Sequence, residues 1–223
     1  MANYWDYLEA GFKIFGLLGK TDHDGEPLGE KEAFKKPVSS NWQHTPDWSD
    51  EQIECMEESG QLNTGWGVLC YGYLIIDIDP RNGGDKSFKQ LCKDLKIDLL
   101  AASSFAVQTG GGGQHIYFKL EDEKTALQSH LNSYQGIDFK SSGFVVGCGS
   151  LHQSGLVYES IKGNPCDVST PPVELLAALK KPEKYRAKTS LGTIDVNVEE
   201  VKEILSHISP DCDYETWIRC GMA

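Results

Sequence analysis

Residues 73–80 read Tyr-Leu-Ile-Ile-Asp-Ile-Asp-Pro, and nothing else in the chain restricts its fold as strongly. An apolar run passing into alternating isoleucine and aspartate has the period of a β-strand, and Pro80, lacking an amide hydrogen, ends it. That period places Asp77 and Asp79 on one face, roughly 6.5–7 Å apart along the backbone, with Ile76 and Ile78 facing a core. Around this strand the sequence predicts others at residues 12–15, 67–70, 104–109 and 114–120, and two short β runs within 136–147. A tight turn at Tyr71-Gly72 joins residues 67–70 to the acidic strand. Helices are predicted at residues 4–10, from an N-cap at Ser49 through Ile53 and Met56, over 85–95, around 122–131, and from near Pro172. The helix at 85–95 is the clearest, because Phe88, Leu91, Cys92 and Leu95 fall at i, i+3, i+4 and i+7. Strands and helices mix without regular βαβ alternation, which predicts an α+β fold with a largely antiparallel sheet.

The 223 residues leave room for one large domain and a smaller piece. With 39% apolar and 24% charged residues the composition is that of an ordinary globular protein. The apolar runs are too short to span a bilayer and the first residues lack a basic leader, so a cytoplasmic protein without a membrane partner is expected. Seven cysteines, an odd number without a C-x-x-C pair, predict reduced and mostly buried thiols. The polar, basic stretch 180–192 reads as a linker, dividing a domain at 1–188 from a segment at 189–223. In that segment Val198, Val201, Ile204, Leu205 and Ile208 repeat at helical spacing before Pro210, and Asp213 caps a further helix. So short a pair cannot bury its own apolar face, so it either begins a second domain that is cut short or packs on the first.

Net charge is −12, with 33 acids against 21 bases. Any role with nucleic acid must therefore rest on a local basic surface. Residues 140–190, with 4 acids and 7 bases, form the net-positive stretch, whereas residues 1–60 carry 13 acids and 5 bases.

Several constellations can carry chemistry. Asp77 and Asp79 can share a hard cation, Mg²⁺ or Mn²⁺, with waters left over for phosphate, or can simply be the wet edge of a strand. In Gly136-Ile-Asp-Phe-Lys140, Asp138 is a possible third carboxylate and Lys140 a point charge for a phosphate oxygen; a surface acid–base pair is the alternative. Four glycines at residues 110–113 precede His115 at the start of a strand. They suit the approach of a phosphate, or merely a flexible hairpin with a structural histidine. Ser150 and His152, two apart in extended chain, form a second possible phosphate-facing pair. The chain has no G-x-G-x-x-G before a helix, no G-K-[ST] and no G-x-S-x-G elbow, so Rossmann, P-loop and serine-hydrolase readings fail. His23 and His44 read as surface residues.

In order along the chain, these elements resemble the primase-polymerase (prim-pol) branch of the archaeo-eukaryotic primase superfamily, bifunctional enzymes typical of phages, prophages and plasmids. Lys36-Pro37 with Trp42 is similar to its K-x-P…W signature. Ile76-Asp77-Ile78-Asp79 is similar to its acidic pair, Thr109 to Phe118 to its G-G-x-H-x-Y-F element, and Ile137-Asp138 to its third acid. The stretch from Gly143 to His152 resembles the segment that follows. Phe139-Lys140 stands where many relatives have arginine after the acid, and Gly147-Cys148-Gly149 replaces A-P-P. Residues 208–222 resemble the start of a small primase C-terminal helical domain that often precedes a helicase.

The resemblance implies an N-terminal α/β unit packed on an RRM-like sheet with the active site between them. It implies template-directed nucleotidyl transfer: Asp77, Asp79 and Asp138 hold two Mg²⁺ or Mn²⁺ ions, and His115 binds nucleotide phosphates with help from Lys140, Ser150 and His152. The implied partners are a single-stranded DNA template and primer, dNTPs or NTPs, and a helicase domain or protein. DNA contacts are expected along 140–190, with the acidic N-terminal loops turned away. Two rival readings are a glycosyltransferase that uses D-x-D to hold Mn²⁺ on a nucleotide sugar, and a non-catalytic nucleic-acid-binding module. The first explains Asp77 and Asp79 but neither Asp138 nor the glycine–histidine strand.

Overall fold

Two antiparallel sheets organise the computed structural model, which describes residues 2–123 and 125–181. Strands β1 (Ile14–Gly16), β2 (Trp66–Leu69) and β7 (Phe144–Val146) form a three-stranded sheet in the order β1-β2-β7. The larger sheet runs β6-β3-β5-β4-β8, from β3 (Tyr73–Ile78), β4 (Phe105–Gln108), β5 (Gln114–Lys119), β6 (Ile137–Lys140) and β8 (Glu159–Lys162). Every pairing is antiparallel, as the mixed element order predicts, and the fold is α+β.

Among the described residues helices are few and locally specified. Helix α1 (Tyr4–Glu9) opens on a reciprocal capping box between Asn3 and Asp6, and α2 (Asp50–Glu58) on one between Ser49 and Gln52. Helix α3 (Gly84–Leu95) turns Leu91 fully inward, a burial that contributes about 1.5–3 kcal/mol. Two further short helices are α4 (Leu99–Ala102) and α5 (Val173–Leu179).

The central strands β3, β4 and β5 of the larger sheet are buried on both faces. Tyr73, Ile75, Phe105, Val107 and Tyr117 pack against the three-stranded sheet, α1 and α2, with the rings of Phe12 and Tyr73 stacked at 3.8 Å. The opposite face, with Leu74, Ile76, Ile116, Phe118 and Phe139, is covered by Leu91 of α3, Leu99 of α4 and Leu175 and Leu179 of α5.

Three expectations need correction. The turn at Tyr71-Gly72 exists, closed by the Tyr73 N–H donating to the Cys70 carbonyl, but β2 and β3 do not pair: the turn carries the chain from one sheet to the other. The helix predicted around 122–131 is absent from its described residues. There the backbone is satisfied from outside the segment, with the Gln128 N–H donating to the Leu179 carbonyl and the Ser129 carbonyl accepting from Phe139, while Leu127 enters the core. The described cysteines are free, but Cys55 and Cys166 are exposed and only Cys70 and Cys148 are fully buried. The 188/189 boundary and the C-terminal helices lie outside the described residues. No helix among the described residues is long and apolar enough to cross a membrane.

Candidate active site

Asp77 lies on the face of β3 that it shares with Tyr73 and Ile75, toward the smaller sheet. Its direct cross-strand neighbours are His115 on β5 and Asp138 on β6, so three polar side chains form a row across three strands. Lys140 sits one step diagonally away, opposite Ile75. Its ammonium lies 3.7 Å from Asp77 Oδ2 and 3.9 Å from Asp138 Oδ2. His115 Nε2 is 3.6 Å from Asp77 Oδ1. Burial pushes the His115 imidazole below its usual range against the opposing pull of Asp77, so the ring is neutral at pH 7. Its Nδ1 is buried without a partner of hydrogen-bond geometry, the weak pull of the Val146 carbonyl notwithstanding.

Asp79 lies one residue beyond the strand, as the N-cap of a 3-10 turn at Pro80–Asn82. Its carboxylate accepts from Arg81 Nε and Nη2, from the Arg81 backbone N–H and from Asn82 Nδ2, all at 3.0 Å. The hydrogen-bonded Arg81 guanidinium holds it below the usual carboxylate range. Asp79 is fixed from behind: its N–H donates to the Gly136 carbonyl and its carbonyl accepts from Gly84 N–H. Gly136 has a φ of +75°, and a Cβ there would lie 2.6 Å from the Gly84 nitrogen, so only glycine fits this crossing.

Asp77, Asp79, Asp138, His115, Lys140 and His152 all line one cavity of about 560 Å³. His152 Nδ1 accepts the Ser154 backbone N–H at 3.1 Å, so in the neutral ring Nε2 carries the proton. Tyr158 stands between the two histidines, its ring centroid 5.9 Å from each.

Ser150 is the predicted site residue that the cavity excludes. Its Oγ accepts the Trp66 backbone N–H at 3.0 Å and it is 1% exposed, so no hydroxyl is left for a phosphate. Nor does the glycine loop present a full set of amides. The Gly112 N–H donates to the Thr109 carbonyl and the Gly113 N–H to Thr109 Oγ1.

The donor set is oxygen-only and one-sided. Among the described residues no three His, Cys, Asp or Glu side chains are grouped to hold a metal ion by themselves. Mg²⁺ and Mn²⁺ are commonly held by one or two carboxylates, with water and phosphate oxygens filling the remaining positions. Asp77 and Asp138, with the Lys140 ammonium already between them, fit that pattern.

The family model described as the bifunctional DNA primase/polymerase N-terminal domain matches residues 5–177. The chain belongs to this family. At the family level it is a DNA primase/polymerase-type nucleotidyltransferase domain. No curated protein matches it.

Lys35, Arg81, Asn82 and Tyr158 line the primase/polymerase cavity without having been singled out by the sequence. Lys35 had a usable signal. Lys35-Lys36-Pro37 meets K-x-P with Lys35 as its lysine, and that residue reaches the cavity, whereas Lys36 pairs with Glu32 at 3.7 Å. Trp42 packs between Phe15 and Phe144 and is structural. Arg81 carries no pattern beyond its place after the acidic pair, and Tyr158 enters by way of a loop.

Proposed function

We propose that this domain synthesises or extends primers by template-directed nucleotidyl transfer in the replication of phage or mobile-element DNA, taking dNTPs or NTPs and a single-stranded DNA template with its primer. The supporting observation is the convergence of Asp77, Asp79 and Asp138 on a cavity whose other walls carry Lys35, Arg81, Lys140 and two neutral histidines.

Asp77, Asp79 and Asp138 would hold two Mg²⁺ or Mn²⁺ ions. Bound there, the ions supply Lewis-acid activation of a primer 3′-hydroxyl and charge neutralisation of the triphosphate. The protein's own share is alignment. The Nε2 proton of His152 and the Lys35 and Lys140 ammonium groups meet phosphate oxygens, and His115, held neutral, offers a hydrogen bond without repelling a cation. Reaction requires no nucleophilic side chain, since the attacking oxygen belongs to the primer. The family match removes the grounds for the nucleotide-sugar reading.

Extension of a labelled primer on a DNA template, with dNTPs or NTPs and Mg²⁺ or Mn²⁺, tests this. Wild type should add nucleotides, and Asp77→Ala with Asp79→Ala should lower the rate at least about a hundredfold. DNA binding by the wild type with no incorporation under any combination would leave the non-catalytic module instead.

A further inference from the structure

The three carboxylates are not equally available. Asp77 and Asp138 see the Lys140 ammonium at 3.7 and 3.9 Å and the ring nitrogens of His115 and His130 at 3.6 and 3.9 Å, beyond ordinary hydrogen-bond length. Asp79 is closed: both its oxygens are engaged by the two-pronged Arg81 guanidinium at 3.0 Å, and each takes one further donor. A divalent ion approaching Asp79 meets a cation already seated.

That cation is poised to leave. The Arg81 side chain is 63% exposed and that of Asp79 28%, and Arg81 lines the same cavity as Lys35, Thr109 and His152. The backbone beneath is pinned, through the Asp79 bonds to Gly84 and Gly136 and the left-handed Gly83 at φ +82°, so the arginine can swing while the turn stays in place. A guanidinium fork matches two phosphate oxygens as well as it matches a carboxylate.

We propose that Arg81 is an exchangeable counter-cation, seated on Asp79 while the nucleotide site is empty and passing its fork to the triphosphate when a divalent ion takes the Asp79 carboxylate. This rests on the nucleotidyl-transfer reading. It makes ion and nucleotide mutually reinforcing, since the ion frees the guanidinium for the phosphates and the phosphates draw it away from the carboxylate. Arg81 is thereby a nucleotide-binding residue whose resting position suppresses ion binding by the domain alone.

The test measures Mn²⁺ binding by electron paramagnetic resonance, with and without a dNTP, in wild type, Arg81→Gln and Arg81→Lys, alongside nucleotide KM in primer extension. Without nucleotide, Arg81→Gln should bind Mn²⁺ about three- to fivefold more tightly than wild type. Its nucleotide KM should rise about tenfold or more, and the dNTP should enhance Mn²⁺ binding less. Arg81→Lys, which keeps the charge but loses the fork, should fall between the two on both measures. Thermal melts of the three proteins should coincide, because the arginine is exposed. Mn²⁺ affinity that is unchanged or weaker in Arg81→Gln, or a KM that does not rise, overturns the exchange and leaves Arg81 a fixed clamp on Asp79. Loss of the underlying reading has a different signature: a wild type that adds no nucleotide and whose Mn²⁺ binding is indifferent to Asp77→Ala.

Discussion

Ser150 and His152 show how two residues of one short motif divide between architecture and chemistry. In extended chain they point the same way, yet neither residue lies in a regular strand. Ser150 then turns inward to the Trp66 amide, while His152 stays on the cavity wall. Ser150→Ala should therefore act on stability. It strands a buried N–H, at a cost of about 1–3 kcal/mol, and leaves nucleotide KM where it was. His152→Ala should instead raise KM about tenfold. Denaturant unfolding beside primer-extension kinetics separates the two, and a Ser150→Ala variant with raised KM and unaltered stability would return the hydroxyl to the nucleotide site. The acids and His115 were legible in the sequence because strand period and residue chemistry point the same way. Lys35 was marked by the K-x-P motif alone and Arg81 by no pattern, because a long side chain reaches a cavity from positions no local period marks.

At the level of elements, local patterns identified β1 to β7, α1, α2, α3 and α5, but period 2 does not say which sheet a strand joins. The Tyr71-Gly72 turn looks the same in a hairpin as in a crossing between sheets, and only the register of β3 with β5 and β6 distinguishes them. Strand β8 carries no sequence signal, because Glu-Ser-Ile-Lys at a sheet edge holds a single apolar residue and none of its positions is buried. No helix forms over the described residues of 122–131, because Leu127 and Leu131 serve packing beside α5 rather than a helical face. Gly136 is the joint on which the site depends most, linking the lead-in to β6, the start of α3 and the Asp79 backbone. Gly136→Ala meets both a positive φ and the Gly84 nitrogen, and should cost more than about 1 kcal/mol. The displacement should also disturb Asp79, so unfolding midpoint and Mn²⁺ binding should fall together. Gly143→Ala, at a similar φ of +74° but in open space, should lower the midpoint alone. Equal loss of Mn²⁺ binding in both variants would count against Gly136 as the joint behind Asp79.

For the whole molecule, the charge of −12 sets how a polyanion can be met. The division by segment is only partly reflected in the structure, since Lys35, from the acidic first 60 residues, lines the cavity. Within 140–190 the described bases also have unequal freedom. Lys140 lies inside the cavity, 3.7 Å from Asp77 and 3.9 Å from Asp138, and Lys162 donates to the Leu100 and Ala101 carbonyls at the end of α4. Lys180 and Lys181 are exposed, their backbones held beside Leu127 and Ala126. If template DNA follows the basic segment, these two lysines should carry phosphate contacts that Lys162 does not. Each such contact on a single strand adds about 0.7 to the slope of log K against log salt. Lys180→Glu with Lys181→Glu should then flatten that slope by about 1.4 and weaken binding most at low salt, where a protein of net negative charge depends most on local cations. Lys162→Ala should leave the slope unchanged while removing the cap on α4. Salt titrations of labelled single-stranded DNA decide the matter: an unaltered slope in the double variant places the template path away from residues 180–181.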